Sequence, residues 1–227
     1  MGTEDNFIRV KNCLPEGVTL VVVSKTRPAD DILRLYRLGH KIFGENKAQE
    51  LIGKQPLLPG DIQWHFIGHL QTNKVKYIAP FVHLIESVDS LHLLSEIEKQ
   101  AKKQQRIIDF LLQLYIATEE TKFGLSLEEA EEILQSAEYR SMEYVRNRGV
   151  MGMASLTDDR NKIRQEFRLL KEAFHHLKMI YFSDNEAFSA VSMGMSGDWE
   201  IAVEEGATIV RIGTAIFGER VYSTTKP

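Results

Sequence analysis

The stretch Ala207-Thr-Ile-Val-Arg-Ile-Gly-Thr-Ala-Ile-Phe-Gly218 decides the fold that we expect for this 227-residue chain. Its first half, Ala207–Ile212, consists mainly of small and β-branched residues, which predicts a buried strand. Gly213 and Thr214 end that strand, and we expect a short helical turn after them. Glycine admits a ligand close to the backbone, and the free N–H groups of a helix N-terminus attract anions, so this pattern is typical of a phosphate site. A core strand followed by an ordinary turn explains the same residues.

One charged residue, Arg211, interrupts this apolar strand. A buried guanidinium needs a partner, because an unpaired charge in the interior is very costly. A cofactor that has both a phosphate and a ring nitrogen would explain the turn and the arginine together.

Seven further apolar segments precede this strand, and most are followed by helical periodicity or capping signals. The eight predicted strands are Val18–Val23, Lys41–Phe43, Ile62–Ile67, Phe81–Ser87, Ile107–Ala117, Gly149–Met153, Leu177–Phe182 and Ala207–Ile212. Alternating buried strands and helices predict a parallel sheet. Eight such units favour an α/β fold in which residues 1–227 form a single (β/α)8 TIM-type barrel. An open doubly wound sheet is the alternative, but its G-x-G-x-x-G nucleotide signature is missing after the first strand.

The composition excludes several classes of protein. With 43% hydrophobic and 26% charged residues, the chain is typical of a soluble globular protein. A net charge of -4 does not indicate a general nucleic-acid binder. There is no apolar run long enough for a bilayer, and the N-terminus is too polar for a secretory signal. Cys13 is the single cysteine, which favours a reducing compartment. Together, these features predict a cytoplasmic protein without a membrane or nucleic-acid partner.

The functional groups of a barrel gather where its strands end. The side chains predicted at those ends are Lys25, Asn46, His65 or His69, Glu86, Thr118, Met153, Ser192 and Arg211. In an apolar mouth the pKa of the Lys25 ammonium should fall, which supplies the neutral amine that forms Schiff bases. A lysine that extends to solvent at a strand end is the alternative. The two histidines straddle a strand end and a glycine turn without an evident third ligand, so we expect no metal.

Phosphate sites of barrels are often built from the loops after strands seven and eight. Here those loops contain Ser192 and Ser196, which offer hydroxyls, and Gly194 and Gly213, which allow close backbone approach. Two turns with glycine for backbone reasons are the alternative. A lysine for an aldehyde, a phosphate site and an arginine for a ring nitrogen together indicate pyridoxal 5'-phosphate (PLP).

Five segments resemble, in the same order, the pyridoxal phosphate homeostasis proteins, a family similar to the barrel domain of bacterial alanine racemase. They are Val21-Val-Val-Ser-Lys-Thr26, Phe43-Gly-Glu-Asn-Lys-Ala-Gln-Glu50, Trp64-His-Phe-Ile-Gly-His-Leu-Gln-Thr-Asn-Lys74, Ser192-Met-Gly-Met-Ser196 and Val210-Arg-Ile-Gly-Thr-Ala-Ile-Phe-Gly218. The resemblance extends from Val18 to Gly218. It is weaker before Val18, where family members usually have a longer helix, and this leaves open how the bottom of the barrel is closed.

The resemblance implies that Lys25 holds PLP covalently as a Schiff base. It implies that Ser192 and the backbone of Gly213 and Thr214 hold the phosphate, while Arg211 faces the pyridine nitrogen. It also puts Asn46 near the ring hydroxyl or the imine. The full set of implied PLP-binding residues is Lys25, Asn46, Ser192, Met195, Ser196, Arg211, Gly213 and Thr214.

Binding a cofactor does not by itself imply turnover. An arginine donates to the ring nitrogen and leaves it largely unprotonated, which makes the ring a weaker electron sink. A racemase also needs acid and base groups on both faces. In the related racemase the second base comes from another domain and subunit, and this chain ends at Pro227, so we expect no such domain. We therefore expect a monomeric protein of PLP homeostasis without significant catalysis, with PLP-dependent apo-enzymes as candidate recipients.

Two other functions fit the same residues. One is a PLP-dependent amino-acid racemase-like enzyme with a base supplied by the barrel, such as Lys25. The other is a barrel enzyme without a cofactor, in which Lys25 forms the Schiff base with a phosphorylated substrate.

Overall fold

The computed structural model describes residues 2–117 and 124–219. Within these residues, eight parallel strands form a closed barrel whose strand order follows the chain. The strands are β1 (Thr19–Val23), β2 (Ile42–Glu45), β3 (Gln63–Phe66), β4 (Val82–Val88), β5 (Ile108–Gln113), β6 (Val145–Met151), β7 (Ala190–Ser192) and β8 (Ile209–Ile212). The α/β closed-barrel prediction is therefore confirmed, and the open sheet is excluded.

Helices alternate with the strands along the chain. Those of the described residues are α1 (Thr3–Cys13), α2 (Ala29–Arg37), α3 (Ala48–Lys54), α4 (Thr72–Ile78), α5 (Leu91–Lys103), α6 (Leu127–Gln135), α7 (Ala137–Arg140), α8 (Arg160–Tyr181), α9 (Trp199–Glu204) and α10 (Thr214–Phe217). Because every strand is parallel to its neighbours, all the strand C-termini lie at one end of the barrel, which we call the mouth.

The barrel closes where β1 pairs with β8. Thr19 lies opposite Ile209, and Val22 lies opposite Ile212, so the pairing covers the whole of β8. This register brings the loop after β1 beside the loop after β8, and these loops contain Lys25 and Gly213. The two segments that the sequence singled out for chemistry are thus neighbours at the mouth.

Two apolar layers hold the barrel together. The larger layer lies between strands and helices and contains fully buried aromatic side chains such as Phe43, Trp64 and Phe110. A smaller cluster fills the barrel interior, and its buried members are Val21, Leu84, Leu111, Met151 and Ile209. Apolar burial is the main favourable term in folding, so these layers provide the rigid support for the mouth.

The short segment before β1 forms α1, which the sequence did not predict. This helix packs against α10 and α2, and it buries Phe7 and Val10. Asn6 Nδ2 donates a hydrogen bond to the carbonyl of Ile216 in α10 at 3.2 Å. The segment before β1 therefore joins the outer helical layer next to the closing seam of the barrel.

The prediction of strand seven is wrong. Leu177–Phe182 is not a strand, because α8 continues through it as far as Tyr181. The buried residues Phe167, Leu170, Phe174 and Leu177 follow helical spacing and form one face of α8, whereas Met179 and Ile180 of the same apolar run are exposed. The seventh strand is Ala190–Ser192, whose three residues are too few for a periodic pattern.

Other boundaries differ by a few residues. The fifth strand ends at Gln113, before the predicted Ala117, and the sixth begins at Val145, before the predicted Gly149. Thr118, which was predicted at a strand end, lies outside the described residues. Among the helices of residues 2–117 and 124–219, none is both long and apolar enough to cross a membrane.

Candidate functional site

A cavity of about 450 Å³ opens at the mouth of the barrel. Its lining comes from the ends of strands on both sides of the closing seam and from the loops after β3, β6 and β7. The predicted site residues that line it are Lys25, Asn46, Met195, Ser196, Arg211, Gly213 and Thr214. The barrel thus brings together residues that are up to 189 positions apart in the sequence, from Lys25 to Thr214.

Backbone N–H groups converge on one corner of this cavity. Gly213 N and Ala215 N each donate to Ser196 Oγ at 3.2 Å. The hydroxyl oxygen accepts both bonds at the start of α10, immediately after β8. An oxygen of a bound anion has the same acceptor chemistry, so this corner can take a phosphate oxygen. We call the corner formed by Ser196, Gly213 and Ala215 the anion-binding corner for this reason.

The two glycines expected to admit a phosphate also have packing reasons of their own. Gly194 has a φ of 91°, and a Cβ there would lie 2.6 Å from the Cβ of Ala202. A Cβ on Gly213 would lie 3.0 Å from the carbonyl oxygen of Val23, across the closing seam. Gly194 therefore excludes a larger residue, and Gly213 leaves very little room for one, before any ligand is considered.

Lys25 lies in the loop directly after β1, and its side chain is half-buried. It lines both the main cavity and a small neighbouring pocket that also contains Arg27, Thr214 and Phe217. Arg27 Nη2 donates to the carbonyl of Gly218 at 2.6 Å, and its guanidinium lies 5.4 Å from the ring centroid of Phe217. A second fixed cation thus borders the anion-binding corner. The sequence analysis missed it, although its position two residues after Lys25 was a usable signal.

Arg211 is buried at the base of the cavity and makes three polar contacts. Its Nη1 donates to Ser192 Oγ and lies 3.6 Å from Glu86 Oε2, while its Nη2 donates to the carbonyl of Gly152 at 2.9 Å. Burial lowers the pKa of the Arg211 guanidinium, and the charge of Glu86 opposes this shift. The arginine therefore has the partner that its position in an apolar strand required.

That partner, Glu86, lies on β4 and joins the arginine to a histidine. Glu86 Oε1 accepts from His65 Nδ1 at 2.6 Å, and Glu86 Oε2 accepts from Ser192 Oγ. Burial acts to raise the pKa of Glu86, but the hydrogen bond from His65 and the charge of Arg211 outweigh it, so this pKa is lowered. The carboxylate is thus kept ionised, and it fixes the direction of the guanidinium.

Ser192 is the predicted site residue that does not line this cavity. It is fully buried, and its hydroxyl donates to Glu86 and accepts from Arg211. Both roles of the hydroxyl are used within the barrel, whereas Ser196 presents its hydroxyl at the cavity. The hydroxyl next to the backbone N–H groups of the anion-binding corner is therefore that of Ser196.

The histidines at the end of β3 have separate partners. His65 binds Glu86, as described above, and its ring stacks on that of His83 with centroids 5.9 Å apart. His69 Nδ1 lies 3.1 Å from Asp89 Oδ2 at the surface. In the part of the chain that the structure describes, no three or more His, Cys, Asp or Glu side chains are grouped so as to hold a metal ion.

Comparison with known proteins identifies the family of this chain. The family described as alanine racemase, N-terminal domain, matches residues 3–221. The pyridoxal phosphate homeostasis protein of Aquifex aeolicus (strain VF5) is 42% identical over 215 residues, which cover 94% of this chain and 90% of that protein. The protein of the same name from Escherichia coli (strain K12) is 35% identical over 213 residues, covering 92% and 88% of the two chains.

Solved structures give the same result. PipY of Synechococcus elongatus PCC7942, in a structure with PLP bound, superposes with a TM-score of 0.85 at 31% identity and covers 95% of this chain and 100% of its own. Alanine racemase of Clostridium difficile 630 superposes with a TM-score of 0.73 at 13% identity, covering 98% of this chain and 58% of its own, which supports the fold alone. The chain belongs to the pyridoxal phosphate homeostasis protein family, whose barrel is that of the alanine racemase N-terminal domain.

Proposed function

We propose that this protein binds PLP at the barrel mouth and takes part in PLP homeostasis. The observation that supports this most directly is that one cavity of about 450 Å³ is lined by Lys25, by Arg211 and by the anion-binding corner at Ser196. These are the three kinds of group that an aldehyde, a ring nitrogen and a phosphate require. PipY, a relative of 31% identity, has been solved with PLP bound.

The phosphate would bind at the corner formed by Ser196, Gly213 and Ala215. Both backbone N–H groups already donate to an oxygen, at 3.2 Å. A phosphate oxygen is a stronger acceptor than a hydroxyl because it carries charge, so it can replace the serine oxygen and receive the serine O–H as a further donor. Arg27, fixed at the edge of the same corner, adds a positive charge.

Lys25 would hold the cofactor through its aldehyde. Its half-buried side chain lines the cavity, and its amine would be the nucleophile that meets the aldehyde there. PLP supplies a reactive aldehyde and a ring that withdraws electrons, and the protein supplies the amine and fixes its position.

Arg211 would donate to the ring nitrogen without giving up a proton. Glu86 and Ser192 hold this guanidinium in position, and an arginine does not give up its proton. A ring nitrogen that stays unprotonated would make the cofactor a poor electron sink. We therefore propose that the protein stores and releases PLP without significant turnover. We also propose that residues 1–227 form one domain, that the protein is a monomer, and that PLP-dependent apo-enzymes collect the cofactor from it.

The decisive experiment combines absorption spectroscopy with chemical trapping. The purified full chain is incubated with PLP, reduced with borohydride and digested, and the peptides are mapped by mass spectrometry. We expect a visible absorbance band that bleaches on reduction and a pyridoxyl adduct on Lys25, and we expect Lys25→Ala to lack both. A Lys103→Ala variant, altered at an exposed lysine of α5, is the matched control and should retain both signals.

Two results would contradict this proposal. A chain that takes up no PLP when the cofactor is in excess would exclude the binding function. A chain that binds PLP and rapidly exchanges the α-hydrogen of L-alanine or L-serine in deuterated water would be a racemase-like enzyme instead.

A further inference from the structure

The loop that contains Lys25 has an unusual backbone conformation. Thr26 has a φ of 67°, which is the left-handed region that residues other than glycine rarely adopt. This conformation is strained for a β-branched residue, so the surroundings must hold it in place. The N–H of Thr26 donates to Glu50 Oε1, and the N–H of Arg27 donates to the carbonyl of Ser24 at 3.0 Å. The conformation of this loop therefore depends on a carboxylate from helix α3.

That carboxylate belongs to a buried ionic cluster, the Lys54 cluster, which consists of Glu45, Glu50 and Lys54. Lys54 Nζ donates to Glu45 Oε1 and to Glu50 Oε1, both at 2.7 Å, and to the carbonyl oxygen of Ser24 at 2.9 Å. These three bonds use all three donors of the ammonium. One lysine side chain, only 10% exposed, thus ties the end of β1 to the end of β2 and to α3.

The cluster is a costly way to stabilise a fold. Buried ion pairs gain little over apolar side chains of similar volume, because removing the charges from water offsets their attraction. Glu45 is fully buried, and its Oε2 has no hydrogen-bond partner in the structure of the described residues. Burial raises the pKa of Glu45, although the charge of Lys54 opposes this shift. A set of groups with this energetic cost is better explained by what it holds in position.

The residues that the cluster holds are Ser24 and Thr26, which directly flank Lys25 in the chain. Ser24 is bound twice, because its carbonyl accepts from Lys54 and its hydroxyl donates to Glu45 Oε1 at 2.7 Å. Thr26 is bound by Glu50. The lysine thus lies between two residues that are fixed from behind by the same cluster.

We propose that Glu45, Glu50 and Lys54 are positioning residues for Lys25, and that they direct its side chain towards the aldehyde carbon of PLP. This inference rests on the proposed function and extends it from the groups that line the cavity to groups that act through the loop backbone. The cluster should therefore affect the imine bond specifically, and not the binding of the ring and phosphate.

This distinction gives a direct test. Pyridoxamine 5'-phosphate has the same ring and phosphate as PLP but no aldehyde, so it cannot form the imine with Lys25. The affinities of the full chain for both ligands are measured in the wild type, in Glu50→Gln, which keeps the shape and an acceptor oxygen, and in Glu50→Ala. Amide hydrogen exchange of residues 24–27 is measured in the same proteins without ligand.

We expect Glu50→Ala to raise the dissociation constant of PLP by about tenfold, because one charge-assisted hydrogen bond to the loop is lost. Glu50→Gln should give a smaller increase. Binding of pyridoxamine 5'-phosphate should stay within about twofold of wild type. Amide exchange of residues 24–27 should become faster in both variants.

Glu205→Gln is the matched control. The Glu205 side chain is 10% exposed and pairs with Arg164 and Arg168 of α8, at the end of α9 and away from the mouth. Glu205→Gln should lower the free energy of unfolding about as much as Glu50→Gln does. It should not change the amide exchange of residues 24–27 or the affinity for either ligand.

The outcomes separate the two proposals. If the Glu50 variants bind both ligands as the wild type does, or lose affinity for both equally, the positioning role is excluded while the PLP function stands. If the wild type binds neither ligand, the proposed function fails, and this inference fails with it.

Discussion

His40 at the N-terminal end of β2 and Arg211 near the C-terminal end of β8 are both buried, but they are satisfied in different ways. His40 makes one hydrogen bond, between its Nε2 and the carbonyl of Ile42 at 2.7 Å, and it packs edge-on between Phe7 and Phe43. Burial lowers its pKa to about 4, so the ring is neutral. Arg211 keeps its charge and is held by a carboxylate, a hydroxyl and a carbonyl.

This difference separates the end that stabilises the barrel from the end that can do chemistry. At the bottom a polar ring is made neutral and packs as part of an apolar layer, which costs little. At the mouth, charges remain in the interior, and each is fixed in direction by several partners. Changes at the bottom should therefore alter stability alone, and changes to the groups that contact Arg211 at the mouth should alter stability and PLP binding together.

The largest effect that tests this division is expected for Phe7→Ala. Phe7 is 1% exposed and packs against His40 at a centroid distance of 5.2 Å. Removing a buried aromatic ring leaves a cavity and should lower the free energy of unfolding by about 3–5 kcal/mol, measured by urea denaturation. The PLP dissociation constant of the folded variant should not change. A marked loss of PLP affinity would show that the two ends are coupled and would break the comparison.

The second effect is the pH dependence that His40 gives to stability. Its pKa is about 4 in the folded protein and about 6.5 when unfolded, so protonation favours the unfolded state. The stability is fully present above pH 6.5 and decreases as the pH falls towards 4, by about 3 kcal/mol for this residue. Urea denaturation above pH 6.5 and at pH 4 should show that the free energy of unfolding falls less in His40→Gln than in the wild type. Equal losses would contradict this assignment.

The smallest effect on stability is expected for Ser192→Ala, which tests the contacts that hold Arg211 at the mouth. Without the hydroxyl, Arg211 and Glu86 lose a shared partner in the interior, which should cost about 2 kcal/mol. The freer guanidinium should also weaken PLP binding, as measured by absorbance titration. Ser155→Ala is the matched control, since Ser155 is also buried and donates to Glu166 at 2.7 Å.

The Ser155 variant should lose stability while PLP affinity is retained. If both serine variants weaken PLP binding equally, the effect is a general consequence of lower stability, and the special role of the Arg211 contacts is excluded.

The sequence predicted the barrel because seven of its strands each contain or overlap a recognisable apolar segment. It failed at strand seven, where a helix face and a strand compete for the same residues. Leu177–Phe182 is apolar at every position except Lys178, but Leu177 continues the buried face of α8. The true strand, Ala190–Ser192, is specified by pairing with β6 and β8 and not by its own pattern.

At the site, the sequence predicted residues that follow strand ends, because closure of a parallel barrel brings those ends together. It did not predict which groups pair, since Glu86 and Ser192 are 106 positions apart. A charged residue within the apolar strand Val82–Val88 was the available signal for Glu86, as it was for Arg211. The Lys54 cluster was also missed, because the burial of Lys54 depends on how α3 packs against the ends of β1 and β2.

The pairing of β1 with β8 also has a consequence for how the protein is made. Thr19 and Ile209 are partners across the seam, so β1 leaves the ribosome long before its partner is synthesised. Contacts of such long sequence separation form late and slow the folding reaction. The cavity spans this seam, from Val23 on one side to Gly213 on the other. A nascent chain therefore completes its ligand cavity only when the barrel closes, and a partly synthesised chain presents no complete cavity.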